Sequence, residues 1–291
     1  MNRSTSIPFV AMQPEFPTHG PSAALPEPIT AEDLAALAQA RRALASPGLA
    51  VRLANIVGTP FEKMLARLPA GAQETIASAT RKALDASLRV AMKSAGLRWS
   101  PLSSPRLHQL AVAGTGAAGG AFGLAALPIE LPLTTTLMFR SICEIAREAG
   151  ESLDDPETRL QCLLVFAMGG PAKDDDDAAF GYFVVRGAMA QMVARAAGEL
   201  GGRGALAGSG ALGQLMQAVA NRFAARVGEQ TAAKSVPALG AVLGAAVNTA
   251  FISHYQQIAR AHFTVRRLER RYGAEAVRQA WNTLGDGTRP V

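Results

Sequence analysis

The chain has 291 residues, of which 49% are hydrophobic and only 5% aromatic. Alanine favours helices and is depleted in strands, so this alanine- and leucine-rich composition favours close-packed helices and argues against a β-sheet protein. The net charge of +6 is unevenly divided, with −6 over residues 107–199 and +7 over residues 200–291. This layout indicates either charge complementarity within the molecule or basic faces that meet an anionic surface.

Several classes of function receive little support from the composition. The chain is basic, but it lacks aromatic stacking residues and a recognisable reading module, so no nucleic-acid partner is predicted. Its two cysteines, Cys143 and Cys162, lie in apolar, helix-like sequence and are expected to be free, buried thiols. The N-terminus has no apolar run that would make a secretion signal, so we expect a reducing, cytoplasmic location.

The first part of the chain is predicted to be a tail followed by helices. Residues 1–29 are rich in proline and have no apolar periodicity, so they are predicted to be disordered. Order is expected to begin at Thr30, which can cap a helix whose first turn carries Glu32 and Asp33. Three helices are predicted from there to Ala95, with breaks at residues 46–47, 59–60 and 69–71.

The rest of the chain also shows only helix patterns. Asp155 is a strong helix cap because Pro156 and Glu157 follow it. Further helices are predicted over residues 132–149, 155–169, 174–197, 211–228, 238–272 and 274–284, with a frayed end at residues 286–291. The four aspartates at 174–177 are interpreted as a helix start, since they lack the glycine-bearing loop of a calcium site. The sequence therefore predicts an all-α protein with one helical domain over residues 30–285.

Three runs contain no Asp, Glu, Lys or Arg, at residues 107–129, 204–221 and 235–259. They carry glycines four residues apart, at 116/120, 119/123, 204/208 and 240/244, which would let helix backbones pack closely. Three interpretations stay open at this point: a buried core, shallow membrane insertion, or membrane spans. The glycines at 114, 116 and 119 also match a dinucleotide fingerprint, but Gly120, Gly123 and Pro128 would spoil the helix it needs, so no cofactor is predicted.

Several long phrases, in order along the chain, resemble the EcsC family. They are residues 127–136, 140–146, 155–169, the pair Tyr182 and Arg186, residues 236–251 and residues 261–273. The resemblance covers roughly residues 30–285. The family takes its name from an operon that encodes an ABC transporter. The resemblance therefore implies a membrane-proximal protein, accessory to ABC-type transport or secretion, but it supplies no mechanism.

Glu130 lies between two prolines in an apolar context. A buried carboxylate must be paired or protonated, so we expect a salt bridge to Arg140 or Arg186. A role as an acid in catalysis or transport is the alternative.

The C-terminal helix carries the sharpest pattern. On an unbroken helix, Arg260, Arg267, Arg271 and Arg278 fall within about 40° of one another. The opposite side places His262, Arg266 and Glu269 within reach of one another. These three residues are expected to form a satisfied polar network, with proton transfer as the alternative.

The hypothesis that follows is a non-enzymatic, membrane-proximal protein on the inner face of the cell membrane. Its arginine stripe would contact an anionic membrane surface or a membrane protein such as an ABC transporter. In the structural alternative, the arginine stripe packs on the acidic residues 144–177 of the same molecule. The functional alternative is a hydrolase-like enzyme that uses Glu130, Arg140, His262, Arg266 and Glu269.

Overall fold

The computed structural model describes residues 28–45, 48–93, 109, 127–168, 175–201, 210–235 and 240–286. Within these residues the chain forms helices and no strand, which confirms the all-α prediction. The ten α-helices are α1 (Ala31–Ala45), α2 (Leu49–Val57), α3 (Phe61–Leu65), α4 (Ala72–Lys93), α5 (Leu127–Glu148), α6 (Pro156–Leu164), α7 (Asp175–Gly201), α8 (Ala211–Lys234), α9 (Gly240–Tyr272) and α10 (Ala274–Asp286). A 3₁₀ turn, Val165–Ala167, follows α6.

Local signals in the sequence set the helix starts. The Thr30 hydroxyl accepts a hydrogen bond from the Asp33 amide at 3.2 Å, and the Asp155 carboxylate accepts one from the Glu157 amide at 3.1 Å. Both predicted caps are confirmed. Each satisfies a backbone N–H that has no partner inside its own helix.

Some predicted boundaries are wrong. The breaks before α4 lie where expected, but they separate four helices rather than three, because the five-residue α3 is too short to show periodicity. α5 begins at Leu127 rather than at Pro132, since Pro128 in the first turn needs no N–H partner. α6 ends at Leu164 and not at Gly169, α7 continues to Gly201, and α8 continues to Lys234.

The predicted tail at residues 1–29 and frayed end at 286–291 lie almost wholly outside the described residues. So do the glycine pairs at 116/120, 119/123 and 204/208. Residues 240 and 244 belong to the first turns of α9.

α9 is the longest helix and the axis of the fold. It packs against α1, α2, α5, α8 and α10, while α4 packs across α5 and α8. Its buried side chains include Val247, Phe251, Ile252, Tyr255 and Ile258, all of which belong to the third charge-free run. From Val247 onward, the core interpretation of that run is therefore the one that the structure supports.

Two hydrogen bonds show the relative direction of α5 and α9. The Gln256 amide donates to the Ser141 hydroxyl at 2.7 Å, and the Arg270 guanidinium donates to the Ala149 carbonyl at 2.9 Å. Higher residue numbers in α5 thus meet higher numbers in α9, so α5 and α9 run parallel. Among the described residues, no helix combines the length and apolarity needed to cross a bilayer.

Candidate functional site

Three arginines on the exposed side of α9 form the first candidate site. Arg260, Arg267 and Arg271 lie within about 40° on one side of this helix, and we call them the arginine face. Arg267 and Arg271 both pair with Asp33 of α1, at 3.1 and 3.0 Å, yet their side chains stay 42% and 52% exposed. Asp33 thus positions two guanidinium groups that remain open to solvent.

Asp33 is an anchor for these arginines as well as a helix-start residue. It is buried, and it accepts a hydrogen bond from the Tyr272 hydroxyl at 2.8 Å. This hydrogen bond and the charges of Arg267 and Arg271 hold the pKa of Asp33 below its usual value, against the opposing effect of burial. The acid that Arg267 and Arg271 meet is therefore Asp33, which is not among residues 144–177.

Arg278 does not belong to the arginine face. α9 ends at Tyr272, Gly273 adopts a left-handed φ of +86°, and a new helix starts at Ala274. The Arg278 guanidinium lies 5.6 Å from the ring centroid of Phe183 on α7. The prediction of a four-arginine stripe is wrong because it assumes an unbroken helix.

A groove of about 660 Å³ runs beside the arginine face, between α1, α5 and α9. Alanines at 36, 40, 43, 149 and 261 leave this space open, while Gln39, Gln257 and Thr264 supply polar groups. Arg260 and Arg267 line one wall, and Glu148 also lines the groove. The groove therefore combines an apolar, alanine-rich part with polar groups, two arginines and one glutamate.

The second candidate site is a buried polar network between α7 and α9. The Tyr182 hydroxyl and His262 Nδ1 are 2.9 Å apart. One turn further along α7, Arg186 makes two hydrogen bonds to the Glu269 carboxylate, at 2.8 and 2.5 Å. α7 packs directly on α1, α6 and α8, and these long side chains bridge the wider space to α9.

Arg266 does not join His262 to Glu269, as the sequence suggested, but turns to the loop after α5. It binds Glu151 at 2.9 Å and lies 3.5 Å from Glu157, and Arg270 pairs with Glu151 as well. Burial raises the pKa of Glu151, but the hydrogen bonds and charges of these two arginines outweigh it and lower the pKa overall. Glu151 is therefore a structural anion, matched by two cations.

The electrostatics of the network favour a structural role. Burial lowers the pKa of His262 well below its usual range, and the charges of Arg186 and Arg266 act in the same direction. Burial also raises the pKa of Tyr182. A neutral imidazole that is fully buried can shuttle a proton only if a substrate reaches it, and the groove beside the arginine face does not include His262.

Glu130 forms a third, separate cluster. It pairs with Lys234 of α8 at 2.5 Å and accepts a hydrogen bond from the Asn248 amide at 2.9 Å. The predicted salt bridge to Arg140 or Arg186 is therefore wrong. Arg140 lies ten residues further along α5, about 15 Å away along the helix axis, and Asn248 lies 14 residues, about 21 Å, before His262 on α9.

The five residues of the hydrolase hypothesis therefore do not form one site. The structure brings His262, Arg266 and Glu269 onto neighbouring parts of one network, and it places Glu130 in the separate cluster with Lys234 and Asn248. Among the described residues, no three His, Cys, Asp or Glu side chains form a group that could hold a metal ion.

Sequence reasoning missed Asp33 and Lys234 as partners. For Asp33 a signal was present: Asp33, Leu37 and Ala40 are spaced four and three residues apart, and all three are buried on one face of α1. A carboxylate on an apolar stripe requires a buried partner. Lys234 gave no such signal, because the sequence predicted that its helix ends earlier, at Gly228.

The comparison with known proteins gives one match. The family model described as the EcsC protein family matches residues 31–268. No curated protein and no solved structure matches the chain. The matched range runs from the start of α1 to within four residues of the end of α9, so it includes Asp33, Arg260, Arg267, Tyr182 and His262, while Glu269 and Arg271 lie just beyond it. Since it covers well over half of the sequence, the chain belongs to the EcsC protein family.

Proposed function

We propose that this protein is a non-catalytic helical module that binds the anionic inner surface of the cell membrane through its arginine face. The observation that carries the proposal is the exposure of Arg260, Arg267 and Arg271 on one side of α9. Two of these three guanidinium groups pair with the one carboxylate of Asp33, so a positive excess remains. Near an anionic leaflet each such residue contributes about 1 kcal/mol.

The polar network supports the non-catalytic part of the proposal. Its acids and bases are already matched, and all except Arg270 are largely buried: Tyr182 pairs with His262, Arg186 with Glu269, and Arg266 and Arg270 with Glu151. Such an arrangement holds helices in register rather than presenting a reactive group to a substrate. An accessory role in ABC-type transport rests on the operon from which the family takes its name.

Vesicle co-sedimentation tests the proposal. Binding of the wild type to phosphatidylglycerol–phosphatidylcholine vesicles is compared with binding of the double variant Arg260→Gln/Arg271→Gln. Two lost contacts of about 1 kcal/mol each predict binding weaker by roughly tenfold to thirtyfold at low salt. Wild-type binding should also weaken as salt rises, since screening acts within about 10 Å at 0.1 M salt.

Arg195→Gln/Arg270→Gln is the matched control. It removes the same charge, and Arg270 is 43% exposed and pairs with buried Glu151 much as Arg271 pairs with Asp33. Arg270 points about 100° away from Arg271, so the control should bind like the wild type. Equal loss in both variants would show an effect of net charge alone. Failure of the wild type to bind any anionic vesicle would reject the membrane surface and leave a protein partner.

A further inference from the structure

α5 and α9 begin at the same end of the molecule. They run parallel, and Glu130, in the first turn of α5, contacts Asn248, in the third turn of α9. The last residue of α8, Lys234, reaches the same place. Val242 lies six residues before Asn248, about 9 Å further toward this end.

This end carries exposed apolar side chains. Ile129 is 81% exposed, Leu133 is 52% exposed and Val242 is 86% exposed, and we call these three residues the apolar tip. Among the described residues they make up half of the large hydrophobic side chains that are exposed. Ile129 and Leu133 are four residues apart and share one face of α5.

The apolar tip also carries little unbalanced charge. Ile129 ends the first charge-free run and Val242 lies in the third, which covers residues 235–259. The carboxylate of Glu130, between Ile129 and Leu133, is neutralised by Lys234, and both side chains are less than a tenth exposed. In the part of the tip that the structure describes, this pair therefore adds no exposed charge.

The tip and the arginine face follow one side of α9. At 100° per residue, five complete rotations separate Val242 from Arg260, so both side chains point in the same direction. Arg267 and Arg271 deviate from this direction by about 20°. Val242 and Arg271 are separated by about 44 Å along the helix. This side of α9 is thus apolar at its start and basic along its second half, while Gln109 contacts Ser253 and Gln256, which lie between the two, at 3.4 and 2.7 Å.

We propose that the apolar tip enters the lipid bilayer at the boundary of headgroups and acyl chains while the arginine face of α9 meets the headgroups. The inference rests on the proposed function and adds the mode of binding. A bilayer interface offers anionic headgroups to the arginines and hydrocarbon to Ile129, Leu133 and Val242 along one plane. Surface-lying helices bury their apolar side by about 5–10 Å in this region.

The test compares Ile129→Gln/Val242→Gln with the control Val51→Gln/Val184→Gln. All four side chains are at least half exposed, so neither variant removes a core residue, and circular dichroism checks the helix content. Because apolar insertion is not screened by salt, the tip variant should lose the binding that survives at high salt, by about tenfold or more. The control should bind like the wild type.

A second measurement reports insertion directly. In vesicles of phosphatidylglycerol with phosphatidylcholine brominated near the top of its acyl chains, Val242→Trp should be quenched more strongly than the native tryptophans of the wild type. Val51→Trp should show no added quenching. A tip variant that keeps wild-type binding at high salt, or Val242→Trp without added quenching, would overturn this inference alone. If Arg260→Gln/Arg271→Gln binds like the wild type, the proposed function fails instead, and with it the joint contact of tip and arginine face with the membrane.

Discussion

Removing Lys234 should leave a charge stranded in the protein interior. The Lys234 and Glu130 side chains are 7% and 9% exposed, and their charged atoms lie 2.5 Å apart. Lys234→Met keeps most of the aliphatic chain but leaves the carboxylate with the Asn248 amide as its remaining neutral donor. Breaking a buried pair by removing one partner costs about 3–5 kcal/mol. Since the Asn248 hydrogen bond remains, we expect about 3 kcal/mol.

Urea denaturation followed by circular dichroism measures this loss. For a domain of this size, about 3 kcal/mol corresponds to a fall in Tm of roughly 6–12 °C. The double variant Glu130→Gln/Lys234→Met removes both charges, and its amide can still accept from Asn248. Replacing both members of a buried pair is often close to neutral, so the double variant should be within about 1 kcal/mol of the wild type.

The pH dependence of the opposite single variant gives an independent check. Burial lowers the pKa of Lys234, whereas the charge and hydrogen bond of Glu130 raise it. In Glu130→Gln the lowering should therefore be larger. A lysine with a depressed folded pKa binds fewer protons when folded, so the stability of this variant should rise with pH up to about 10.5, the ordinary lysine value. A Lys234→Met loss below about 0.5 kcal/mol, or additive single effects, would refute the buried-pair argument.

Three further outcomes follow from the described contacts. The depressed pKa of Asp33 means that its contribution to stability is present above the ordinary value of 3.8 and lost as pH falls through the lower folded value, so Asp33→Asn should unfold with a weaker acid dependence in acid titrations. Tyr182→Phe strands the imidazole partner of a buried hydrogen bond and should cost about 1–3 kcal/mol in urea, whereas Tyr255→Phe should cost little, since its hydroxyl has no partner among the described residues. Gly273→Ala should lower Tm because φ is +86° there, at a cost of about 1 kcal/mol, whereas Gly187→Ala inside α7 should raise Tm.

A different result would contradict each of these three predictions. An unchanged acid profile in Asp33→Asn would show that this carboxylate is not held ionised by its partners. Equal losses of stability in Tyr182→Phe and Tyr255→Phe would show that the Tyr182–His262 hydrogen bond does not stabilise the fold. A neutral Gly273→Ala would mean that the turn between α9 and α10 tolerates a side chain.

The helix starts could be predicted because their causes are local. Thr30 and Asp155 cap helices through hydrogen bonds to amides two or three residues away. Helix ends are less certain from sequence, and the glycine at 228 shows why. Glycine weakens a helix interior by only about 1 kcal/mol, and the packing of α8 against its neighbours outweighs this cost.

The sites were harder to predict because their partners are distant in the chain. Asp33 and Arg271 are 238 residues apart, and Glu130 and Lys234 are 104 apart. Helical periodicity showed that His262, Arg266 and Glu269 share a side of one helix. It could not show that residues from two other elements pair with them: Tyr182 and Arg186 from α7, and Glu151 from the loop after α5.

The sequence by itself determined the all-α class, the caps, the position of most helix breaks and the family. These depend on composition, on 3.6-residue periodicity and on hydrogen bonds within one turn, all of which can be read along the chain. Only the tertiary structure decided which charges meet, that Arg278 turns away at Gly273, and that the apolar tip and the arginine face share one side of α9. Those outcomes depend on which helix faces pack together, and an ion pair or an exposed patch exists only after that packing has brought distant residues into contact.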